Sequence, residues 1–313
     1  MNREIGKIEP HIRYITDRKR PTSEYETGNP MSIDLASTGT LTIGGKTVHR
    51  LGFGAMSLTG PGVWGPPRDH DEALRVLRRV VELGVDLIDT ADSYGPYVSE
   101  EIIREALHPY PEGLLIATKA GFVRTGPGEW HAVGRPAYLR QEVEMSLRRL
   151  GVERLDLLQL HRVDPEVPLE DQVGELKALQ DEGKIAAIGL SEVSVEQLEQ
   201  ARRVAEIVSV QNRYNLTNRA SEGVLRHCER EGIAFIPYSP IGKGSLAGPG
   251  SPVEHVAKAL GATPAQVSLA WLLAHSPVTM PIPGTSSVAH LEENLAASTV
   301  SLTPEQLDEL GGL

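Results

Sequence analysis

Four polar residues lie where apolar segments of the sequence end, and their types suggest proton transfer. Asp89 closes one apolar run, Tyr94 follows in the next turn, and Lys119 and His161 close two later runs. Tyrosine has an ordinary pKa of about 10, and a neighbouring lysine ammonium is expected to lower that pKa by favouring the phenolate. Asp89 would keep the lysine charged and oriented, while His161 would donate a hydrogen bond to a carbonyl oxygen. Such a set can protonate an oxyanion.

The sequence offers little for other types of reaction. It has no evident serine or cysteine nucleophile, no cluster of metal ligands and no phosphate-binding P-loop. Asp92, three residues after Asp89, is expected to shape the turn rather than to act as a second acid. The segment LGFGAMS has serine where a dinucleotide-binding fingerprint needs its third glycine.

The order of the elements explains how these residues could meet. Strand-like segments begin near residues 51, 85, 114, 156, 185, 207, 234 and 278, and at least one helical segment follows each of them. Eight such units predict an α/β fold, a (β/α)8 TIM barrel, whose active site lies at the carboxyl ends of the strands. Two glycines between 40–43 and 46–49 predict a β-hairpin ahead of the barrel. Residues 1–35 are polar and aperiodic, which predicts an N-terminal extension to a single barrel domain, 36–313.

Composition indicates which binding partners and which cellular compartment to expect. The chain has 313 residues and a formal net charge of -11, which argues against nucleic acid and anionic membranes as partners. The single cysteine, Cys228, cannot form an intrachain disulfide, and the N-terminus has no apolar segment typical of a signal peptide. We therefore expect a cytoplasmic protein that acts on a small molecule, with its oligomeric state open.

Several motifs together resemble the aldo-keto reductase family over residues 38–313. In chain order they are LIDTADSYG, IATKAG, LDLLQLHRVDP, GLSEVS, VQNRYN, IPYSPIGKG and IPGTSSVAHLEENLAA. The resemblance implies reversible NAD(P)H-dependent reduction of an aldehyde or ketone on a TIM barrel. It also implies that Tyr94 is the general acid, that Lys119 and Asp89 tune it, and that His161 orients the carbonyl. The hydride would come from the nicotinamide, and the protein would supply positioning and the proton.

The same resemblance implies a cofactor site along the strand ends. Ser191 and Gln211 would bond the nicotinamide carboxamide, and Tyr238 would stack on the nicotinamide ring. The other implied contacts are Gly54, Ala55 and Met56 at the first strand end, Ser239, Pro240, Ile241, Gly242, Lys243, Gly244 and Leu246 near the pyrophosphate, and Gly284, Thr285, Ser286, Ser287, His290, Glu293 and Asn294 near the adenosine.

Two departures from the family pattern affect this site. The common serine-asparagine pair is Ser191-Glu192 here, and a carboxylate cannot donate to the carboxamide oxygen. The adenosine segment lacks the lysine or arginine that many members place on the 2'-phosphate, and offers Ser286, Ser287 and His290 instead. NADP(H) is the expected cofactor by family habit, and NAD(H) is an open alternative.

The sequence also offers two candidate substrate contacts and two alternative functions. Trp64 and His131, in loops after the first and third barrel strands, are candidate walls of the substrate pocket. One alternative is a regulatory protein resembling channel β-subunits, for which the extension 1–35 is the relevant feature. The other is a Schiff-base lyase using Lys119, which would need a neutral lysine. The identity of the carbonyl or alcohol substrate is not readable from the sequence.

Overall fold

The computed structural model of the chain describes residues 32–242 and 251–312. Ahead of the barrel, β1 (Thr40–Ile43) and β2 (Lys46–His49) pair antiparallel, as predicted. Gly44 and Gly45 form the turn with φ values of 58° and 85°, the left-handed conformation that tight hairpin turns need. The buried side chains of Ile43 and Val48 pack with apolar residues from the first positions of the barrel strands. The hairpin therefore closes the amino-terminal end of the barrel.

The remaining strands supply a parallel sheet and one further hairpin. In chain order they are β3 (Phe53–Gly54), β4 (Leu87–Asp89), β5 (Leu115–Ala120), β6 (Phe122–Gly126), β7 (Glu129–Ala132), β8 (Leu155–Leu160), β9 (Ile185–Ser191), β10 (Ile207–Gln211) and β11 (Ala234–Phe235). Seven of them lie side by side in the order β11-β10-β9-β8-β5-β4-β3, and all neighbours are parallel. The curled sheet is that of the predicted (β/α)8 barrel.

The predicted eighth strand, 278–282, closes the barrel without forming a regular ladder. Thr279 makes a parallel bridge with Phe235 on one side. On the other side, the Gly52 and Gly54 amides donate to the carbonyl oxygens of Pro281 and Pro283, at 3.0 and 3.2 Å. Prolines have no amide hydrogen, so this segment can accept such bonds but cannot return them at those positions.

Helices cover the outside of the sheet. They are α1 (His70–Glu82), α2 (Val98–Leu107), α3 (Pro136–Leu150), α4 (Leu169–Asp181), α5 (Val195–Arg202), α6 (Glu222–Glu231), α7 (Pro252–Leu260), α8 (Pro264–His275), α9 (Val288–Leu295) and α10 (Pro304–Gly311). Their apolar faces and the outer face of the sheet share one buried cluster. No helix in the described ranges is long and apolar enough to cross a membrane.

The hairpin β6–β7 replaces what the sequence suggests is a plain loop after β5. The two strands pair antiparallel around Pro127 and Gly128. Their alternation puts Trp130 and His131 on opposite sides of the hairpin. The hairpin follows directly on β5, so it lies at the carboxyl end of the barrel, beside the candidate site.

Candidate active site

Three of the four chemistry-bearing residues meet in one buried hydrogen-bonded chain. Lys119 Nζ donates to Asp89 Oδ1 at 2.5 Å, to the Thr90 carbonyl oxygen at 2.8 Å and to the Tyr94 hydroxyl at 3.4 Å. The lysine side chain is fully buried, and Asp89 is 3% exposed. The ends of β4 and β5 are neighbours in the sheet, which brings the two charges together. A buried lysine is thus held between a carboxylate and a phenol.

Two glutamine amides complete the surroundings of Asp89. Gln159 Nε2 and Gln211 Nε2 donate to Asp89 Oδ2 at 3.0 and 2.8 Å. The carboxylate therefore accepts hydrogen bonds from three side chains. The family resemblance implies a cofactor contact for Gln211, and Gln159 is not among the residues predicted from the sequence. Its sequence signal was a polar residue in an apolar strand, on the same face as His161 two positions later.

The electrostatics of the lysine and the tyrosine differ in part from the sequence expectation. Burial lowers the pKa of Lys119, but the charge of Asp89 and the bonds to Asp89 and Tyr94 outweigh it and leave the pKa raised. Burial raises the pKa of Tyr94, and the opposing charge of Lys119 does not cancel this effect. Lys119 lowers the pKa of Tyr94 as predicted from the sequence, but burial has the larger effect and sets the net direction. The phenol keeps its proton at neutral pH.

His161 lies beside Tyr94 as a neutral imidazole. Their ring centroids are 5.8 Å apart and nearly perpendicular. Burial lowers the pKa of His161 well below its usual value, and the positive charges of Lys119, Arg162 and Arg124 lower it further. The Ser93 hydroxyl lies 3.1 Å from Nδ1. A hydroxyl that donates to Nδ1 leaves the imidazole proton on Nε2.

An aromatic wall stands beside these residues, and its main member was not predicted. The Trp130 ring makes edge contacts with Tyr94, Phe122 and His161, with centroids 6.4, 5.3 and 6.2 Å apart. Phe122 also contacts His161 at 4.6 Å. His131, the predicted candidate, is exposed and its Nε2 lies 2.9 Å from Thr125 Oγ1. Trp64, half-buried, faces the Arg124 guanidinium at 5.8 Å.

The region predicted for the nicotinamide contains two charged residues, Arg162 and Glu192. Arg162 Nη1 donates to the His161 carbonyl oxygen at 2.7 Å and to Ser191 Oγ at 3.1 Å. Glu192, with a left-handed φ of 57°, accepts from the Arg213 amide at 2.7 Å. Burial raises the pKa of the half-buried Tyr238. The charge of Glu192 raises that pKa further, and the charge of Arg162 lowers it. Ser191, Glu192 and Tyr238 therefore share one edge of the barrel with Arg162.

The segment predicted for the adenosine precedes and begins α9. Ser286 and His290 are exposed, Ser287 is half-buried, and Thr285 Oγ1 accepts from the Ser287 amide at 3.1 Å. Asn294 is buried, and Glu293 is half-buried. A carboxylate from α1 also reaches this helix terminus, because Glu72 Oε1 accepts from the Val288 amide at 3.3 Å.

A cation accompanies that carboxylate. Arg75 Nη2 lies 2.6 Å from Glu72 Oε2. No lysine or arginine lies within the adenosine segment itself, and Arg75 belongs to α1, far from that segment in the chain.

The other predicted cofactor contacts have simpler placements. Gly54 ends β3, where a Cβ atom would lie 2.8 Å from the Ile282 carbonyl oxygen, so the closing segment itself requires a small residue there. Gly284 is constrained in the same way by the Gly54 carbonyl oxygen at 2.6 Å. Ala55 is buried, and Met56 is 40% exposed. Ser239, Pro240, Ile241 and Gly242 follow β11, and Lys243, Gly244 and Leu246 lie outside the described residues.

The side chain of Asp92 does not form the turn that the sequence predicts for it. It is 1% exposed, and neither of its carboxylate oxygens has a hydrogen-bond partner among the described residues. Burial raises its pKa well above the ordinary value, and the nearby carboxylates Glu100 and Glu142 raise it further, against the charge of Arg149. The turn itself is held by the Asp92 backbone, whose carbonyl oxygen accepts from the Tyr97 amide at 2.6 Å.

Known proteins are similar to this chain in sequence and in fold. Residues 50–313 match the model of the Aldo/keto reductase family. The chain is 51% identical over 289 residues to an uncharacterized oxidoreductase of Schizosaccharomyces pombe, across 91% of this chain and 94% of that protein. It is 46% identical over 283 residues to pyridoxine 4-dehydrogenase of Escherichia coli, across 88% and 99%. A solved aldo-keto reductase from Klebsiella pneumoniae, in complex with NADPH, matches with a TM-score of 0.74 at 26% identity, covering 87% of this chain and 93% of that one.

Proposed function

The chain belongs to the aldo/keto reductase family and is an oxidoreductase, and from this premise we propose that it reversibly reduces aromatic aldehydes with NADP(H). The first pair to test is pyridoxal and pyridoxine, because pyridoxine 4-dehydrogenase is 46% identical over nearly its whole length. Tyr94 is the proton donor in this proposal, and His161 orients the carbonyl.

The observation that carries the proposal is the buried chain from Asp89 through Lys119 to the Tyr94 hydroxyl. A phenol with a raised pKa is protonated and ready to give its proton to an alkoxide. The lysine ammonium beside it stabilises the phenolate that remains after the transfer. Asp89, held by three donors, keeps that ammonium in place.

His161 supports the same step through a hydrogen bond. A neutral imidazole with its proton on Nε2 can donate to the carbonyl oxygen without competing as an acid. The reduced nicotinamide, when bound, supplies the hydride that the carbonyl carbon accepts. The chain's own residues hold the carbonyl, supply the proton and exclude water from the reacting oxygen.

The residues near α9 suit a dinucleotide phosphate. Polar groups at a helix start favour an anion, and the exposed side chains of Ser286 and His290 and the half-buried side chain of Ser287 provide such groups. A carboxylate at this terminus would repel a 2'-phosphate, but Arg75 lies against Glu72 and offsets its charge. The donor set therefore fits NADP(H), while NAD(H) stays a testable alternative.

The substrate proposal rests on the aromatic wall. Phe122, Trp130 and His161 contact one another edge-on, and Trp130 and His161 also contact the Tyr94 ring edge-on. Flat rings pack well against such surfaces, with offset or edge-on contacts. The Arg162 guanidinium, 5.5 Å from the Phe122 ring centroid, adds a positive charge on one side. An aromatic aldehyde that carries an oxygen anion, such as pyridoxal, suits this combination.

The structure favours the reductase over the Schiff-base lyase. A Schiff-base lyase needs a neutral lysine, whereas Asp89 and Tyr94 leave the pKa of Lys119 raised. The regulatory function depended on residues 1–35, of which only 32–35 lie within the described ranges.

A panel of aldehydes tests the proposal directly. Oxidation of NADPH would be followed with pyridoxal, 4-nitrobenzaldehyde and methylglyoxal, and pyridoxine would be identified by chromatography. We expect kcat/KM to be higher for the two aromatic aldehydes. Binding of NADPH with no turnover of any aldehyde would favour a regulator, and borohydride trapping of an adduct on Lys119 would favour a lyase. Fluorescence titration with NADPH and NADH decides the cofactor.

A further inference from the structure

Arg124 is a buried cation whose contacts are unlike those of an ordinary ion pair. It belongs to β6 and is 9% exposed. Its Nε donates to the Glu129 carbonyl oxygen at 2.7 Å, and its two Nη atoms donate to four more backbone carbonyl oxygens. Within the described ranges it forms no salt bridge with a carboxylate. The planar guanidinium is therefore fixed entirely by backbone acceptors.

These carbonyls come from three different loops at the carboxyl end of the barrel. Nη1 reaches Val63, in the loop after β3, and Ser93, in the loop after β4, both at 2.8 Å. Nη2 reaches Gly62 at 2.9 Å and Gly126 of the β6–β7 hairpin at 3.3 Å. Ser93 immediately precedes Tyr94 in the chain. One side chain thus ties the hairpin to the loop that carries the phenol.

The same guanidinium stacks on the Trp130 ring. Its Cζ is 3.5 Å from the centroid of the Trp130 ring, a stacked contact. The opposite neighbour is Trp64, at 5.8 Å. Trp130 in turn meets Tyr94 edge-on. A guanidinium bonded to three loops leaves the stacked indole little freedom to move away from the phenol.

We propose that Arg124 is a positioning residue that fixes Trp130 as a preformed wall of the substrate pocket and so gives the site its preference for flat aromatic aldehydes. The preference depends on the substrate class given under the proposed function, whereas the positioning does not. A wall that is already in place costs less to order when a ring binds, so it lowers KM for aromatic aldehydes. Small aliphatic aldehydes make little use of it.

The chain contains a matched control for this arrangement. Arg219 donates to the carbonyl oxygens of Leu216, Leu310 and Gly311, and its Cζ lies 4.7 Å from the Trp271 ring centroid. Like Arg124, it donates to backbone carbonyl oxygens and stacks on a tryptophan ring. Its partners, however, belong to neither the Tyr94 loop nor the β6–β7 hairpin. Arg219→Lys therefore controls for the general loss of a guanidinium fork.

The kinetic test compares Arg124→Lys, Trp130→Leu and the double variant with pyridoxal and with propionaldehyde. We expect each single variant to raise KM for pyridoxal by about fivefold to tenfold, the fold-change that corresponds to the free energy of one aromatic contact. The kcat and the Kd for NADPH should change less than about twofold. The double variant should be no worse than Trp130→Leu, because the arginine acts through the indole. The proposal is overturned if the two substitutions raise KM independently, so that their effects multiply in the double variant. It is also overturned if KM changes equally for both aldehydes, or if Arg124→Lys leaves KM unchanged.

A second measurement needs no turnover. The chain has three tryptophans, so 5-fluorotryptophan labelling gives three fluorine resonances, which Trp130→Leu and Trp64→Phe assign. Arg124→Lys should shift or broaden the Trp130 resonance, whereas Arg219→Lys should alter only that of Trp271. An unchanged Trp130 resonance in Arg124→Lys refutes the positioning role.

The two measurements separate this proposal from the proposed function. If the wild-type enzyme reduces no aromatic aldehyde, the substrate class is wrong, and the fluorine spectra alone decide whether Arg124 positions Trp130. If aromatic aldehydes are reduced but the spectra and KM of Arg124→Lys match the wild type, the function stands and the positioning role fails.

Discussion

Replacing Asp92 by asparagine should make the stability of the protein less dependent on pH. The carboxyl is buried with no hydrogen-bond partner for either oxygen among the described residues. Burial and then the nearby Glu100 and Glu142 raise its pKa well above 3.8, against the charge of Arg149. The folded protein therefore holds a proton on this group that the unfolded chain releases above about pH 4.

The magnitude follows from proton linkage. Above the unfolded pKa the folded state binds one more proton than the unfolded state, so the free energy of unfolding falls by about 1.4 kcal/mol for each unit of rising pH. The fall continues until the pH reaches the raised folded pKa. Asparagine removes this contribution. The stability of Asp92→Asn relative to wild type should therefore increase with pH at that slope.

Urea unfolding at several pH values between 4 and 7 measures this slope. A constant offset between the two proteins reflects the buried amide and is not the test. Asp308→Asn, at an exposed carboxyl on α10, controls for the loss of one negative charge and should change stability by less than about 0.5 kcal/mol at every pH. A difference between Asp92→Asn and wild type that does not vary with pH would refute the reasoning.

Two further substitutions test the charges of the site. Lys119→Met leaves Asp89 buried without its cation and should lower the free energy of unfolding, measured in urea, by about 3 kcal/mol. This is the low end for a broken buried ion pair, because Gln159 and Gln211 still donate to the carboxylate. A loss below about 1 kcal/mol would contradict this. Glu192→Asn should lower the NADPH Kd in fluorescence titration by about threefold to tenfold, since an amide can both donate and accept. Weaker binding would mean that the carboxylate's bond to the Arg213 amide is what the site needs.

The sequence was most informative where a polar residue interrupts a regular apolar period. Asp89, Lys119 and His161 were found because each ends an apolar run, and parallel strands bring their carboxyl ends to one edge. Gln159 carried a weaker form of the same signal inside β8. Its role was not visible because it depends on which neighbouring strand supplies the acid that it contacts.

Features built from several loops could not be predicted in this way. The β6–β7 hairpin is short and polar, so its period gave no strand signal, and with it Trp130 and Arg124 were missed. Asp92 has the side chain of a turn residue, and its burial, near Glu100 of α2 and Glu142 of α3, appears only in the folded structure. The raised pKa of Tyr94 depends on the extent of its burial, a quantity that spacing does not contain.

The most direct test of the account is the rate of hydride transfer in Tyr94→Phe. The preformed NADPH complex would be mixed with the aldehyde that the wild type reduces best, and nicotinamide oxidation followed in a single turnover. We expect a rate at least about 100-fold lower, the loss typical of a missing general acid, with the NADPH Kd unchanged. A rate within threefold of the wild type would show that the proton comes from another group.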